Sequence, residues 1–306
     1  MNKKVAILLV LYNDTQHIPG LINSIKEQTY KNIYLYAIET SPGGKSLKLL
    51  EYYYPELRKF KYSGNLGFAA GNNYLAKKAF EDGADYIFVL NTDMILDKDC
   101  VYELVKLIDS NKNIGGVAPI VFFGEDGKIT NKIQCYAEDI NYNTGKITSI
   151  FPLSIKYENL PEIVKVTSLH GGTTFISSKM YEETGLFDEE LFMYGEERDF
   201  AYRIKETKYL FYVTKVAKSW HFHDRSTNNK IGFRREYYYI MRNKILFFYK
   251  YKKYLFILLE LVKNLIKMPF IVRWGIQRKD VLLIKYYYLG LLHGLLKQKG
   301  KSNIKF

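Results

Sequence analysis

Short apolar runs alternate with stretches of helical spacing along residues 1–110, and this alternation restricts the chain to few folds. Residues 5–12 form a continuous apolar run that stops at Asn13-Asp14, as a strand buried on both faces does. Ile18, Leu21, Ile22 and Ile25 follow at helical spacing. Residues 33–38 read as a second strand, closed by the turn Ser41-Pro42-Gly43-Gly44. A helix over 46–54, a short strand over 59–62 and a helix over 72–82, ending at Gly83, come next. Residues 86–90 are a strong strand that breaks at Asn91-Thr92-Asp93. Such alternation predicts an α/β fold, a mostly parallel sheet with flanking crossover helices. Residues 115–166 lose the rhythm, with short apolar stretches between Gly, Asn and Pro. They read as irregular strands and loops that cover the sheet edge and shape a binding site.

Charge is distributed unevenly. Over residues 230–306, 18 Lys and Arg stand against 3 Asp and Glu, while the rest of the chain holds 27 against 29. The whole formal excess of +13 therefore sits on the last quarter, which predicts an anionic partner there. That region is also greasy. Residues 246–268 are apolar but carry Lys250, Lys252, Lys253, Glu260, Lys263 and Lys267, and the longest uncharged run is 286–296. A bilayer span needs about 20 apolar residues, so amphipathic helices lying on an anionic membrane, lysines snorkelling to the headgroups, are expected instead. A helical hairpin packed on the rest of the chain is the plainer alternative. The apolar content favours lipid over nucleic acid.

Two cysteines, Cys100 and Cys135, give no disulfide framework and fit a reducing compartment. The first twelve residues are basic then apolar, without a small-residue cleavage site, and read as a buried strand and not a signal peptide.

Asp93 directly follows the strand 86–90, which puts its carboxylate at the mouth of the sheet, where Mg²⁺ or Mn²⁺ and phosphate oxygens would meet. By itself Asn91-Thr92-Asp93 is equally a turn or helix cap. Its context is more telling. The glycine-rich stretch 65–73 (NLGFAAGNN) precedes that strand by one helix and allows close backbone approach to a ligand. Downstream lie Gly185-Leu186-Phe187-Asp188-Glu189, then Tyr194-Gly195-Glu196-Glu197-Arg198-Asp199-Phe200, then Trp220-His221-Phe222-His223.

In four segments, 65–73, 89–93, 185–199 and 221–226, taken in order and spacing, the chain resembles glycosyltransferase family 2, in its rhamnosyltransferase-like branch, over roughly residues 4–250. The resemblance implies a GT-A fold. It divides the catalytic domain, 1–230, into a nucleotide-sugar-binding half (1–110) and an acceptor-binding half (111–230), followed by a basic helical tail (231–306). It also implies a metal, Mg²⁺ or Mn²⁺, held by Asp93 with His221 or, at a poorer offset before Ser226, His223. Asn91 stands where some members have Asp. Tyr12, Glu39, Asn65, Gly67, Asn72, Asn91 and Thr92 would line the nucleotide-sugar site, with Glu39 in the place of an Asp that contacts the nucleobase. Glu197 matches the general base of an acidic pair, and the change to Glu196-Glu197 leaves either residue open for that role. Arg203 is as ready to pair with nearby acids as to touch substrate. Arg242-Asn243 lies in a segment like the family's closing helix.

The expected activity is inverting transfer of a sugar, rhamnose or another hexose, from a dTDP- or UDP-sugar to a saccharide or lipid-linked saccharide. The setting would be cell-surface polysaccharide synthesis on the inner face of the plasma membrane. A homodimer is compatible with this reading. Three competitors remain. A nucleotidyltransferase would want a Gly-, Arg- and Lys-bearing loop where Tyr12-Asn13-Asp14-Thr15 stands. A catalytically impaired sugar-nucleotide-binding scaffold is suggested by the departures at Glu39, Asn91 and Glu197. A nucleic-acid binder is suggested by the basic tail alone.

Overall fold

The computed structural model describes residues 2–152, 154–222 and 230–306; His223 and Ser226 lie outside them. The apolar run at the start is β1 (Val5–Leu11), and almost all of it is buried because the sheet is covered on both faces. Val5, Ile7, Leu9 and Leu11 point to one face, Ala6 and Leu8 to the other. Then come α1 (Ile18–Lys26), β2 (Ile33–Glu39), α2 (Lys45–Tyr53), β3 (Arg58–Lys61), α3 (Gly67–Glu81) and β4 (Tyr86–Leu90). β1 pairs in parallel with β2 and β4, and β2 with β3. The strand–helix alternation is thus present as expected.

The middle of the chain differs from its sequence reading. After β5 (Met94–Leu96) and α4 (Cys100–Asp109) comes β6 (Ile114–Glu125), a strand of 12 residues buried over its first nine. β7 (Lys128–Cys135) pairs with it, β8 (Glu138–Asn141) and β9 (Lys146–Ser149) form a separate ribbon, and β10 (Ile163–Val166) and β11 (Thr173–Ser177) rejoin the main sheet. Far from covering an edge, β6 lies inside a ten-stranded sheet whose main path, with β12 (Leu210–His221), runs β10-β12-β6-β11-β4-β1-β2-β3, while β5 pairs with β12 and β7 with β6. Its Gly115 and Gly116 are demanded by packing. A Cβ on Gly115 would lie 2.5 Å from the Met180 sulfur, and one on Gly116 2.8 Å from Leu169.

α5 (Ser178–Thr184), α6 (Glu196–Ile204) and β12 (Leu210–His221) complete the sheet half. β11 runs antiparallel to both β4 and β6, whereas β12 is parallel to β6. Consequently the carboxyl ends of β1, β2, β4 and β12 and the amino end of β11 all open on one edge. α1, α2 and α4 pack on one face of the sheet. α3, α5 and α6 pack on the other.

Three helices follow: α7 (Lys230–Lys250), α8 (Tyr254–Gln277) and α9 (Val281–Leu295). α7 and α9 meet through Gly290 and Gly294, one helical turn apart. A Cβ on Gly290 would lie 2.3 Å from the Tyr238 carbonyl oxygen, a backbone atom that cannot step aside. Helix propensity alone predicts that Gly290→Ala gains about 1 kcal/mol. The packing predicts the reverse, a loss of about 1–3 kcal/mol from overfilling, to be read from denaturant unfolding.

Candidate active site

The strand ends gather the residues singled out from the sequence. At β4, Asn91 donates its backbone N–H to the Gly172 carbonyl (3.1 Å), which ties the end of β4 to the loop His170-Gly171-Gly172. From β12, His221 reaches Asp93, with Nε2 3.1 Å from Oδ2. On its other side His221 Nδ1 lies 2.9 Å from Gln134 Nε2. Gln134 Oε1 lies 3.2 Å from the same nitrogen, so the amide can meet either tautomer, and the one with Nδ1–H leaves Nε2 a lone pair for a cation. Phe222 N–H donates to the Asp93 carbonyl (2.8 Å), which fixes the two strand ends together. Thr92 donates its hydroxyl to Asp14. Burial works against ionisation of Asp14, yet hydrogen bonds from His17 and Thr92 hold its carboxyl below the usual range.

The loop His170-Gly171-Gly172 was not singled out from the sequence, and it is the centre of the site. A Cβ on Gly172 would lie 2.8 Å from Asn91 Nδ2, and one on Gly171 3.7 Å from Glu197 Oε2. Gly172 therefore lets Asn91 close on the loop, and Glu197 reaches it beside Gly171 at ordinary contact distance. His170 stacks edge-on against His221, ring centres 6.1 Å apart. Burial, then its neighbour His221, push the His170 pKa down to about 4, so its ring is neutral near pH 7. The signal for this loop was the His-Gly-Gly run itself before an apolar strand.

Glu196 and Glu197 open α6. Glu196 is buried, 2% exposed, whereas Glu197 is half-buried and faces the loop. Burial, then the negative charge of Glu197, push the Glu196 pKa up to about 8. A carboxyl raised this way binds a proton in the folded protein that it releases when unfolded. Stability conferred by the neutral form is thus lost as pH rises from the ordinary carboxylate range through about 8. Glu196→Gln is expected to raise the melting temperature relative to the native chain by several degrees near pH 9 and by little near pH 4.

The backbone just before this pair is strained. Phe192, Tyr194 and Gly195 all have positive φ (66°, 65° and 97°). α7 holds it there. Asn243 Nδ2 lies 3.0, 2.8 and 2.7 Å from the carbonyl oxygens of Leu191, Met193 and Tyr194. Arg242, 1% exposed, donates to Leu191 (2.9 Å) and to the Gly300 carbonyl (2.6 Å). Neither role was legible in the sequence, because the partners lie some fifty residues away. Arg203 pairs with Asp199 (2.9 Å) and donates to the Thr184 carbonyl (2.6 Å), the structural option foreseen for it.

The other candidates are placed as follows. Glu39 ends β2 and accepts from Ser41 N–H (3.0 Å), Ser41 Oγ (2.7 Å) and Leu47 N–H (3.0 Å). Its carboxylate thus braces the Ser41–Gly44 turn, beside a cavity of about 510 Å³ that also touches Lys61 and Tyr62. Tyr12 is exposed nearby at the end of β1. α3 starts at Gly67, not at residue 72, so the glycine-rich stretch is largely helix. Its first amides are already taken: Gly67 N–H by Asn65 Oδ1 (2.8 Å), Phe68 and Ala69 N–H by the Phe192 carbonyl (2.9 and 3.3 Å). Asn72 is buried within the helix, donating to the Phe68 carbonyl (2.9 Å). The structure brings Asn91, Asp93, Glu197 and His221 together around His170–Gly172, and leaves Asn65, Gly67 and Asn72 in the helix start.

Residues 6–185 match the family described as glycosyl transferase family 2. The chain belongs to that family. Among curated relatives, a low-salt glycan biosynthesis hexosyltransferase of Haloferax volcanii is 27% identical over 143 residues, 46% of this chain and 44% of the relative. An uncharacterized glycosyltransferase of Rickettsia typhi is 24% identical over 230 residues, 74% of this chain and 66% of the relative. The matches thus span less than two thirds of each relative. Among solved structures, GalNAc-T7 with UDP, GalNAc and Mn²⁺ superposes with a TM-score of 0.60 at 15% identity, over 72% of this chain and 43% of that one. Residues 1–349 of Staphylococcus aureus TarS superpose with a TM-score of 0.51 at 14% identity, over 80% and 65%. At such identity the likeness speaks for the fold, and it is GT-A-like.

Membership of glycosyl transferase family 2 makes a divalent cation worth testing against the residues present. Asp93 and His221 offer one carboxylate and one imidazole at the same strand edge, a donor pair that Mn²⁺ accepts and that leaves most positions open. Among the described residues no group of three or more His, Cys, Asp or Glu side chains could hold a metal alone. The pair therefore fits a cation whose remaining ligands come from phosphate and water.

Proposed function

We propose that this chain transfers a hexosyl group from a UDP- or dTDP-sugar to a hydroxyl of a saccharide or lipid-linked saccharide, with inversion, at an anionic membrane surface. One observation carries this reading: the Asp93–His221 pair and Glu197 face a single loop, His170–Gly172, from neighbouring strand and helix ends. Asp93 and His221 would hold Mn²⁺ or Mg²⁺, and the cation would offset the charge of the departing diphosphate. Glu197 would take the proton of the acceptor hydroxyl as that oxygen attacks the anomeric carbon from the side opposite the diphosphate. The bond to the acceptor oxygen forms as the bond to the diphosphate oxygen breaks, and no residue is glycosylated on the way. Glu196 is too deeply buried to meet an acceptor, so Glu197 is the better base of the two. Gly171 leaves room for the acceptor hydroxyl beside it.

The choice of hexose is supported by the Haloferax relative's name, and UDP with Mn²⁺ by the GalNAc-T7 complex; rhamnose from dTDP rests on the branch resemblance. The cavity beside Glu39 is the place for the nucleobase. Because Glu39 is occupied with its own turn, base recognition would pass to the backbone there. The anionic membrane setting is supported by the basic tail, whereas the cytoplasmic side and cell-surface polysaccharide synthesis rest on the branch resemblance. A sugar-nucleotide-binding scaffold is the second reading, favoured by the engaged Glu39 carboxylate. Thermal shift and hydrolysis across UDP- and dTDP-sugars, with and without Mn²⁺, test both. Stabilisation with turnover supports the transferase, and stabilisation without turnover the scaffold. No stabilisation by any donor would overturn both.

A further inference from the structure

Helix α8 is built inside out for a helix in water. Its inward face carries Glu260 and Asn264, 6% and 2% exposed. Glu260 accepts from Lys244 of α7 (2.7 Å) and from Lys263 (2.7 Å), while Asn264 donates to the Glu260 carbonyl (2.7 Å) and accepts from the Tyr287 hydroxyl of α9. Its outward face is Leu255, Leu258, Leu259, Leu265, Ile266 and Phe270, from 50% to 72% exposed. At about 100° per residue these six fall within one continuous arc. A helix bordering water places such residues inward and its polar ones outward. Contiguous apolar surface of this extent marks a contact site and not a solvated face.

The charges around the ridge say what that contact is. α8 has a single acid, Glu260, and it points inward. Asp280, just beyond the helix, is paired with Arg234 (2.8 Å). Lys252, Lys267, Arg273 and Lys279 are exposed along and beyond the helix, within a region that holds 18 basic and 3 acidic residues. A second copy of this face would bring like charges together; an anionic bilayer would neutralise them. Among the described residues no helix is long and apolar enough to cross a membrane. The 24 residues of α8 extend about 36 Å, and the lysines along the helix suit a position in the plane of the headgroups.

We propose that α8 is an in-plane membrane anchor, its leucine ridge sunk to the acyl boundary of an anionic bilayer and its flanking lysines and arginines at the phosphates. The anchor deepens the membrane part of the proposed function and rests on it for its purpose, although lipid binding itself needs neither donor nor metal. The full chain is sedimented with vesicles of phosphatidylglycerol and phosphatidylcholine, and with phosphatidylcholine alone, without donor. Binding is expected to the anionic vesicles and at least tenfold weaker to the neutral ones. L258D/L265D and, separately, K267E/R273E are expected to weaken it at least tenfold, with unchanged circular dichroism and donor thermal shift, since these side chains face outward. Failure of the native chain to sediment with anionic vesicles overturns the anchor, as does native-like binding by L258D/L265D. So does a dimer by light scattering that L258D/L265D dissociates, because the ridge would then be a self-association face. Vesicle binding with no donor stabilisation would leave the anchor standing and sink the transferase reading alone.

Discussion

Glu197→Gln is expected to lower kcat by about 10²–10⁴-fold while the thermal shift produced by the donor stays near that of the native chain. The substitution keeps the shape of the side chain and removes its ability to accept a proton. Glu197, on α6, is half-buried beside Gly171, whereas Asp93 lies in the turn after β4 and His221 ends β12, so donor binding should not feel the change. A matching Glu196→Gln separates the two acids. Because Glu196 is buried and its pKa is pushed up to about 8 by burial and by its neighbour, a neutral amide resembles the form it already takes near neutral pH. Its kcat should fall far less than that of Glu197→Gln. Single-turnover kinetics with saturating donor measure both. Equal losses in the two variants, or turnover unaffected by Glu197→Gln, would remove Glu197 from the role of base.

Asn243→Leu is expected to destabilise the chain by about 2–4 kcal/mol, because it strips hydrogen bonds from buried carbonyls, and to cost roughly 10²-fold in kcat through misplacement of the acids. The side chain lies far along α7 and touches no candidate substrate residue. It holds the carbonyls of Leu191, Met193 and Tyr194, whose backbone would otherwise relax from its positive φ angles. A purely structural role would lower the melting temperature and leave kcat per folded molecule unchanged. A positioning role lowers kcat while KM for the donor stays within a few-fold. Asn243→Gln should not rescue, since the extra methylene displaces the amide from all three carbonyls.

Much of the sheet half was legible because strands buried on both faces leave an unbroken apolar run, as in Val5–Leu11 and Tyr86–Leu90. Asp93 was found for the same reason: the end of such a run is the mouth of the sheet. Glycine was where the reading went astray. Gly67 and Gly71 looked like loop, yet α3 runs through both. A Cβ on Gly71 would lie 2.8 Å from Val10, so the helix needs a small residue to approach β1. Gly115 and Gly116 looked irregular, yet they sit in a central strand where neighbouring side chains occupy the space of a Cβ. Local sequence cannot tell a glycine that bends the chain from one that lets another chain segment close in. Long-range contacts were equally hidden. Nothing near Asn243 says that it serves a loop some fifty residues upstream, and nothing in the charge count says which face of α8 is greasy.

The clamp on the acid pair also orders the assembly of the molecule. Leu191 and Tyr194 are held by residues 242 and 243, and Arg242 is in turn seated on the carbonyl of Gly300. During synthesis the sheet can close as soon as β12 has emerged, but its chemistry cannot be set until Gly300 has followed, 79 residues after His221. A newborn chain therefore passes through a stage in which the scaffold is complete and the enzyme is still silent.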